Sequence, residues 1–263
     1  MTTPASGADS GAADPIAAEL AAAAADGDQP AALSEHHHAD VSGGWLRAAV
    51  FGAMDGLVTN IGLIAGVGGG GLSSEGVILT GMAGLVAGAI SMALGEYTSV
   101  RTSNEQIAAE LAKERRELER FPHAEAEELA LRWVERGLDP ELARQVAHAL
   151  RDHPEEALRV HAQEELGVVP EASPSPWTAA ISSFVCFSVG ALIPLLSYLL
   201  GSDSLWLALA IGGAGLFAAG ALTARFTHRR WLLSGLRQLA LGMLAAGATY
   251  AIGKLIGVSS AGL

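Results

Sequence analysis

Cysteine is almost absent from this chain: Cys186 is the single one, and it lies in an apolar segment. One cysteine forms no internal disulfide and builds no thiolate metal site, so cysteine usage leaves the redox compartment open. Charge is scarce too, at 17% of residues against about 25% in an ordinary soluble domain. Basic residues are the rarer sign, 16 Lys and Arg against 28 Asp and Glu, for a net charge of −12. That balance excludes nucleic acid as a partner, since phosphate binding needs clustered Lys and Arg. A signal peptide's basic and apolar regions are missing from the N-terminus, where "SGADSGAADP" reads as a disordered tail. No phosphate-binding loop of the GxxxxGK[ST] type occurs, which argues against ATP drive from this chain.

What is present is apolar: half of the residues are hydrophobic. The acids gather in two regions. Met1 to Gly44 holds seven acids and no Lys or Arg, and Arg101 to Glu171 holds 17 acids and 10 bases. Elsewhere five segments approach the roughly 20 apolar residues that a membrane-spanning helix needs: Trp45–Gly68, Gly76–Val100, Trp177–Leu200, Leu205–Ala224 and Trp231–Ile256. The expected fold is an all-α membrane protein with five spans and a helical insert between the second and third. Its divisions are a tail over 1–44, spans one and two over 45–100, the insert over 101–171 and spans three to five over 172–263.

The loops "GGGGLSSE" and "GSDS" contain no base, whereas Arg47, Arg101, Arg225, Arg229 and Arg230 lie at the opposite ends of the spans. The positive-inside rule makes those ends cytoplasmic, together with the N-terminus and the insert. Trp45, Trp177, Trp206 and Trp231 fall near span ends, where interfacial aromatics belong. Gly52/Gly56, Gly62/Gly66 and Gly84/Gly88 have the spacing that lets helices approach closely, and predict tight packing of the first two spans.

Asp55 breaks the apolar run of span one, within "FGAMDGLVTN". An acid at the centre of a span costs about 2.5–3.5 kcal/mol, so it reads as functional or as bound to a structural partner. Met92 and Glu96 lie near the returning end of span two, at depths similar to Asp55 if the helices are neighbours, and Thr59 extends the polar face. Carboxylate with thioether suits a borderline divalent ion such as Fe²⁺ or Mn²⁺ and permits Zn²⁺ or Co²⁺. A membrane carboxylate can also carry a proton. Taken alone, Met92 is better explained by lipid or core packing.

The insert reads as four helices, punctuated by Phe121-Pro122, Gly137, Asp139-Pro140, Pro154 and Gly167. Acids recur at one-turn spacing: Glu110, Glu114 and Glu117, then Glu125 and Glu128, then His161 with Glu165. Three helices with such faces can converge on a metal site, and like charges at that spacing cost stability without a cation. On spacing alone the stronger reading is solvated faces neutralised by Arg115, Arg116 and Arg120. A di-iron oxidase needs Glu-x-x-His motifs, and the insert has only the reversed order, so enzymatic iron chemistry is not expected. The run His36–His38 offers at most a weak metal site or a solvated tract.

These motifs resemble the vacuolar iron transporter family. "FGAMDGLVTN" is similar to its Asp-Gly-Leu-x-Thr motif and "GAISMALGEYTSVRTSNE" to its Met-Ala-x-Gly-Glu-Tyr-x-Ser motif. "ERGLDPELARQVAHAL" and "HAQEELGV" resemble its insert, and "VGALIPLL" its third span, in the expected order. The resemblance implies a homodimer of five-span subunits that exchanges cytosolic Fe²⁺, in some members Mn²⁺, for protons. It implies a path through Asp55 and Met92, with Glu96 as an addition. For the insert it implies metal ligands at Glu114, Glu117, Glu125, Glu128 and Glu165, with His161 where a methionine is expected.

The expectation is therefore a divalent-metal transporter, not an enzyme, with no prosthetic group. The alternative is a membrane-anchored metal sensor or buffer that moves nothing. The 14 Arg against 2 Lys, with abundant Ala and Gly, point to a GC-rich bacterial genome and so to a bacterial plasma membrane. A vacuolar membrane replaces it in a eukaryote.

Overall fold

The computed structural model describes residues 44–170, 173–227 and 229–261. The acidic tail and His36–His38 lie outside them. Eight α-helices are described: α1 (Trp45–Gly69), α2 (Ser74–Arg120), α3 (Pro122–Glu135), α4 (Pro140–Leu150), α5 (Pro154–His161), α6 (Pro176–Leu199), α7 (Leu205–Thr227) and α8 (Trp231–Ala261). A π-helical turn, Ala162–Leu166, continues α5. Five of the helices are long and apolar enough to cross a membrane: α1, α2, α6, α7 and α8. The fold is therefore the all-α, five-span class read from the sequence.

Local chemistry sets the helix ends. Ser73 caps α2 by accepting from the Gly76 amide, and Asp139 caps α4 by accepting from Glu141 and Leu142. Pro122, Pro140, Pro154 and Pro176 each open a helix, where a missing amide hydrogen costs nothing. Gly71, Gly137 and Gly167 adopt φ of +86°, +100° and +65°, a region that only glycine enters cheaply, and each turns the chain after a helix. All four tryptophans read as interfacial lie within the first two residues of a spanning helix and are exposed: Trp45, Trp177, Trp206 and Trp231.

Helix α2 is continuous for 47 residues, about 70 Å at the usual rise. Its first half is apolar and its second half is charged, so it carries the insert out beyond the spanning bundle. There α3 and α4 form a hairpin around Ala126, Leu129, Ala130, Ala143 and Ala147. Its small residues let the two helices approach closely enough to bring α5 and the π turn back onto α2.

In the bundle, α6 is the central partner, packed along both α1 and α2. This corrects the expected use of the glycines. A Cβ on Gly52 would lie 2.7 Å from the Ser183 carbonyl oxygen, and one on Gly56 would strike the Phe187 carbonyl, both in α6. Gly190 of α6 answers them by closing on Ala53. Gly62 and Gly66 face Thr249 of α8, Gly88 faces the Phe187 ring, and of the six only Gly84 joins α1 to α2. Spacing defines a small-residue face but not which helix it meets, and here the matching small face (Ala179, Ser183, Gly190, Ala191) belongs to α6.

Gly56→Ala is expected to destabilise the fold by roughly 2–3 kcal/mol, because a methyl group must push backbone rather than a flexible side chain. Gly95, with open space beside it, is the control. Thermal unfolding in detergent should separate the two variants clearly.

Candidate metal centre and ion path

Four side chains from three stretches of the insert converge. Glu114 comes from α2, Glu125 from the first turn of α3, His161 from the end of α5 and Glu165 from the π turn. One ligand atom from each lies within 4.8 Å of all the others. His161 Nδ1 is 3.1 Å from Glu114 Oε1, 3.2 Å from Glu165 Oε1 and 4.0 Å from Glu125 Oε2. The imidazole is only 1% exposed and Glu114 only 7%. An α-helix would already align His161 with Glu165 at i,i+4. The π turn re-aims the chain just there, a feature frequent at functional sites.

Electrostatics make this nest a poor place for carboxylates alone. Burial, followed by the charges of Glu165, Glu125, Glu117 and Glu128, pushes the Glu114 carboxyl up to about 7. Glu125 is raised as well, by burial and then by Glu128, with His161 opposing the shift. Glu114 Oε1 lies close to His161, yet the alignment is not that of a hydrogen bond, so it remains a buried acceptor without a donor. A buried acceptor costs about 1–3 kcal/mol when unsatisfied, and a cation at the centre would satisfy it. Three carboxylates and one imidazole match the donor preferences of first-row divalent ions.

The remaining two expected ligands stand outside this group of four. Glu117, half-exposed on α2, is 4.0 Å from Lys113, and Glu128, exposed on α3, pairs with Arg132 at 3.0 Å. Both still add negative potential to the nest. Replacing Glu114 and Glu125 together by Ala is therefore expected to remove an ion from the insert. Glu117→Ala should only weaken binding, by about threefold, as suits loss of an outer charge worth under 1 kcal/mol. Calorimetric titration of the full chain with Mn²⁺ checks the contrast.

Sequence reasoning did not find the cations at this site. Arg132 lies 3.5 Å from Glu165, and Arg136 pairs with Glu164. Arg132 lies in α3 and Arg136 caps its C-terminal end; the charge pattern there shows their face but not that the π turn lies across from it.

In the bundle, contacts set the register of the first two spans. Ala48 shares a buried cluster with Val100, and Gly84 meets Leu63. Counting inward from either pair brings Asp55 level with Met92. Asp55 is half-buried, and Thr59, one turn on, is within reach of its carboxylate. Met92 packs against the Ala89, Phe187 and Ala191 cluster. Glu96 lies one turn nearer the insert and is 7% exposed. Its partner is Arg47, whose Nη2 reaches both carboxylate oxygens at 3.1 and 3.4 Å. Arg47 entered the sequence reading only as a topology marker, and the structure adds this pairing.

Asn60 is a second addition. It is fully buried, and its Nδ2 donates to the Ala191 carbonyl at 2.6 Å. That bond falls beside Pro194, where α6 lacks one backbone donor. A cavity of about 640 Å³ between α1 and α8 begins at Thr59 and passes Gly62, Gly66, Thr249 and Gly253. Its lining carries no charged ligand.

Comparison with known proteins agrees with this layout. The model of the VIT family matches residues 46–254. A protein of Acanthamoeba castellanii named vacuolar iron transporter is 39% identical over 239 residues, covering 86% of this chain and 84% of that one. Vacuolar iron transporter 1 of Oryza sativa subsp. japonica is 32% identical, covering 87% of this chain and 93% of its own length. Vacuolar iron transporter 1 of Arabidopsis thaliana is 31% identical, with 85% and 92% covered. With the family model spanning all five apolar helices and the insert, this multi-pass membrane protein belongs to the VIT family.

Proposed function

We propose that this protein carries Fe²⁺, and also Mn²⁺, out of the cytosol in exchange for protons. Support comes first from the register that sets Asp55 level with Met92 on adjacent spanning helices. A desolvated carboxylate and a thioether form a borderline site that holds Fe²⁺ weakly enough to release it. In this reading the insert faces the cytoplasm, as the arginines at that end of the spans favour. Glu114, Glu125, His161 and Glu165 collect the ion, while Glu117 and Glu128 attract it.

Glu96 then receives the ion at the mouth once Arg47 swings aside. The Arg47 side chain is 68% exposed, so this motion meets little steric resistance. Asp55, Met92 and Thr59 pass the ion across the middle of the bundle. The same donors permit Zn²⁺ and Co²⁺. The Asp55 carboxyl is the natural carrier of the returning proton, because it takes up the proton as the ion leaves.

The apolar faces left open on α2 and α8, with Leu79, Leu94, Leu244 and Leu255 each more than 60% exposed, suit lipid and the second subunit of a homodimer. The membrane is the bacterial plasma membrane, or a vacuolar membrane in a eukaryotic cell. Proteoliposome uptake of Fe²⁺ under an imposed pH gradient tests the whole reading. A metal sensor or buffer would bind ions under the same conditions and show no flux.

A further inference from the structure

We propose that the Arg132 guanidinium holds the seat a second divalent ion would otherwise take between Glu128 and Glu165, so that the insert loads one ion. This rests on the reading of the Glu114, Glu125, His161 and Glu165 nest as a metal site.

The geometry is specific. Arg132 Nη2 donates to Glu128 Oε1 at 3.0 Å, and its Nε lies 3.5 Å from Glu165 Oε1. That same Glu165 oxygen is 3.2 Å from His161 Nδ1. Glu165 therefore faces the nest on one side and the guanidinium on the other. This is how a carboxylate shared between two metal ions would be arranged, with one ion replaced by an arginine. In two-metal sites the ions lie about 3.5–4 Å apart and share such ligands. The guanidinium fills the space that the second ion would need.

Charge points the same way. Glu114, Glu117, Glu125, Glu128 and Glu165 together carry a formal −5 when ionised. Two divalent ions would bring +4. One ion, Arg132 beside Glu128 and Glu165, and Lys113 beside Glu117 bring the same +4. The outer carboxylates are thus already balanced by side chains. The Arg132 Nε is buried and makes no hydrogen bond. Leaving such a donor unsatisfied is costly, so the surrounding negative field, and not ideal bonding, holds it there. Arginine stays protonated throughout the physiological range, so pH does not open this seat. The consequence for the resemblance is concrete: Glu128 binds a guanidinium here and not the ion.

The test counts ions on the full chain in detergent, by equilibrium dialysis against saturating Mn²⁺ followed by metal analysis. Arg132→Gln is expected to hold one more Mn²⁺ per chain than the wild type, and Arg132→Lys the same number as the wild type. Adding Glu128→Gln to Arg132→Gln should remove the extra ion. Glu128→Gln alone should leave the count unchanged and weaken the affinity by no more than about threefold, as loss of an outer charge does. That arm keeps the test decisive even if Arg132→Gln fails to fold.

An unchanged count in folded Arg132→Gln overturns the proposal. So does the loss of an ion, or a tenfold weaker affinity, in Glu128→Gln alone. Failure of the parent reading looks different: Glu114→Ala with Glu125→Ala would then bind as many ions as the wild type, which overturns both.

Discussion

Asp55→Asn is expected to lower Fe²⁺ flux in proteoliposomes by about a hundredfold or more. Removing one partner from a desolvated charge contact costs about 2–5 kcal/mol, and each 1.4 kcal/mol is a factor of ten. The isosteric amide keeps the packing of α1 against α6, so a folding defect should not imitate the loss. Asn also cannot take up the returning proton, so proton movement coupled to Fe²⁺ should fall in parallel. Asp55→Glu retains charge and titration in a displaced position, and should recover part of the flux. Met92→Leu should cost less, about tenfold, because it removes a neutral ligand and leaves the carboxylate in place. Flux in Asp55→Asn equal to the wild type would remove the proposed path, whatever the insert binds.

The second large effect is a pH dependence of ion binding at the insert. Glu114 sits near 7, raised above its usual 4.5 by burial first and then by its carboxylate neighbours. To ligate an ion it must lose its proton, so below that pH binding has to displace one. Affinity for Mn²⁺ should therefore rise about tenfold per pH unit up to neutrality and then flatten. Between pH 5 and pH 8 that amounts to roughly a hundredfold. Calorimetry on the Asp55→Asn background, which silences the path, isolates the insert. Glu114→Gln should bind weakly at every pH and lose the steep dependence.

The same shift acts on stability, with the opposite trend. The folded state holds the Glu114 proton more tightly than the unfolded chain does. The stability it contributes is fully present below about 4.5 and is lost as pH rises through about 7. The ion-free protein should thus weaken toward alkaline pH by on the order of 3 kcal/mol at most. Added Mn²⁺ should restore what is lost, since a ligand that binds only the folded state stabilises it by mass action.

Glu155 and Glu127 offer an internal contrast. Arg115 holds Glu155 below the usual carboxylate range, and His148 with Arg144 does the same for Glu127. Both are exposed acids with a dedicated partner, as an ordinary solvated helix face has. The insert therefore contains both arrangements that its acidic composition allows. Only the nest, where acids face acids around a buried imidazole, calls for an added cation.

The sequence by itself determined everything governed by local periodicity and by solvent. The five spans follow from runs of apolar residues, because a backbone in lipid must satisfy its hydrogen bonds within a helix. The breaks at Phe121-Pro122, Asp139-Pro140 and Pro154 follow from capping and proline chemistry. Asp55 stood out because burying a charge is costly wherever it happens. Tertiary structure alone decided which faces meet. One-turn spacing aligned Glu114 with Glu117 and Glu125 with Glu128, yet only the first of each pair joins His161 and Glu165. It aligned the glycines of α1, yet α6 and α8 receive four of them. Helix periodicity fixes the angle between residues about one axis. It carries no information about the rotation of that helix against its neighbours, which depends on how all the side chains pack at once. For the same reason Arg47 and Arg132, ordinary surface cations by sequence, are found in the structure against Glu96, and against Glu128 and Glu165.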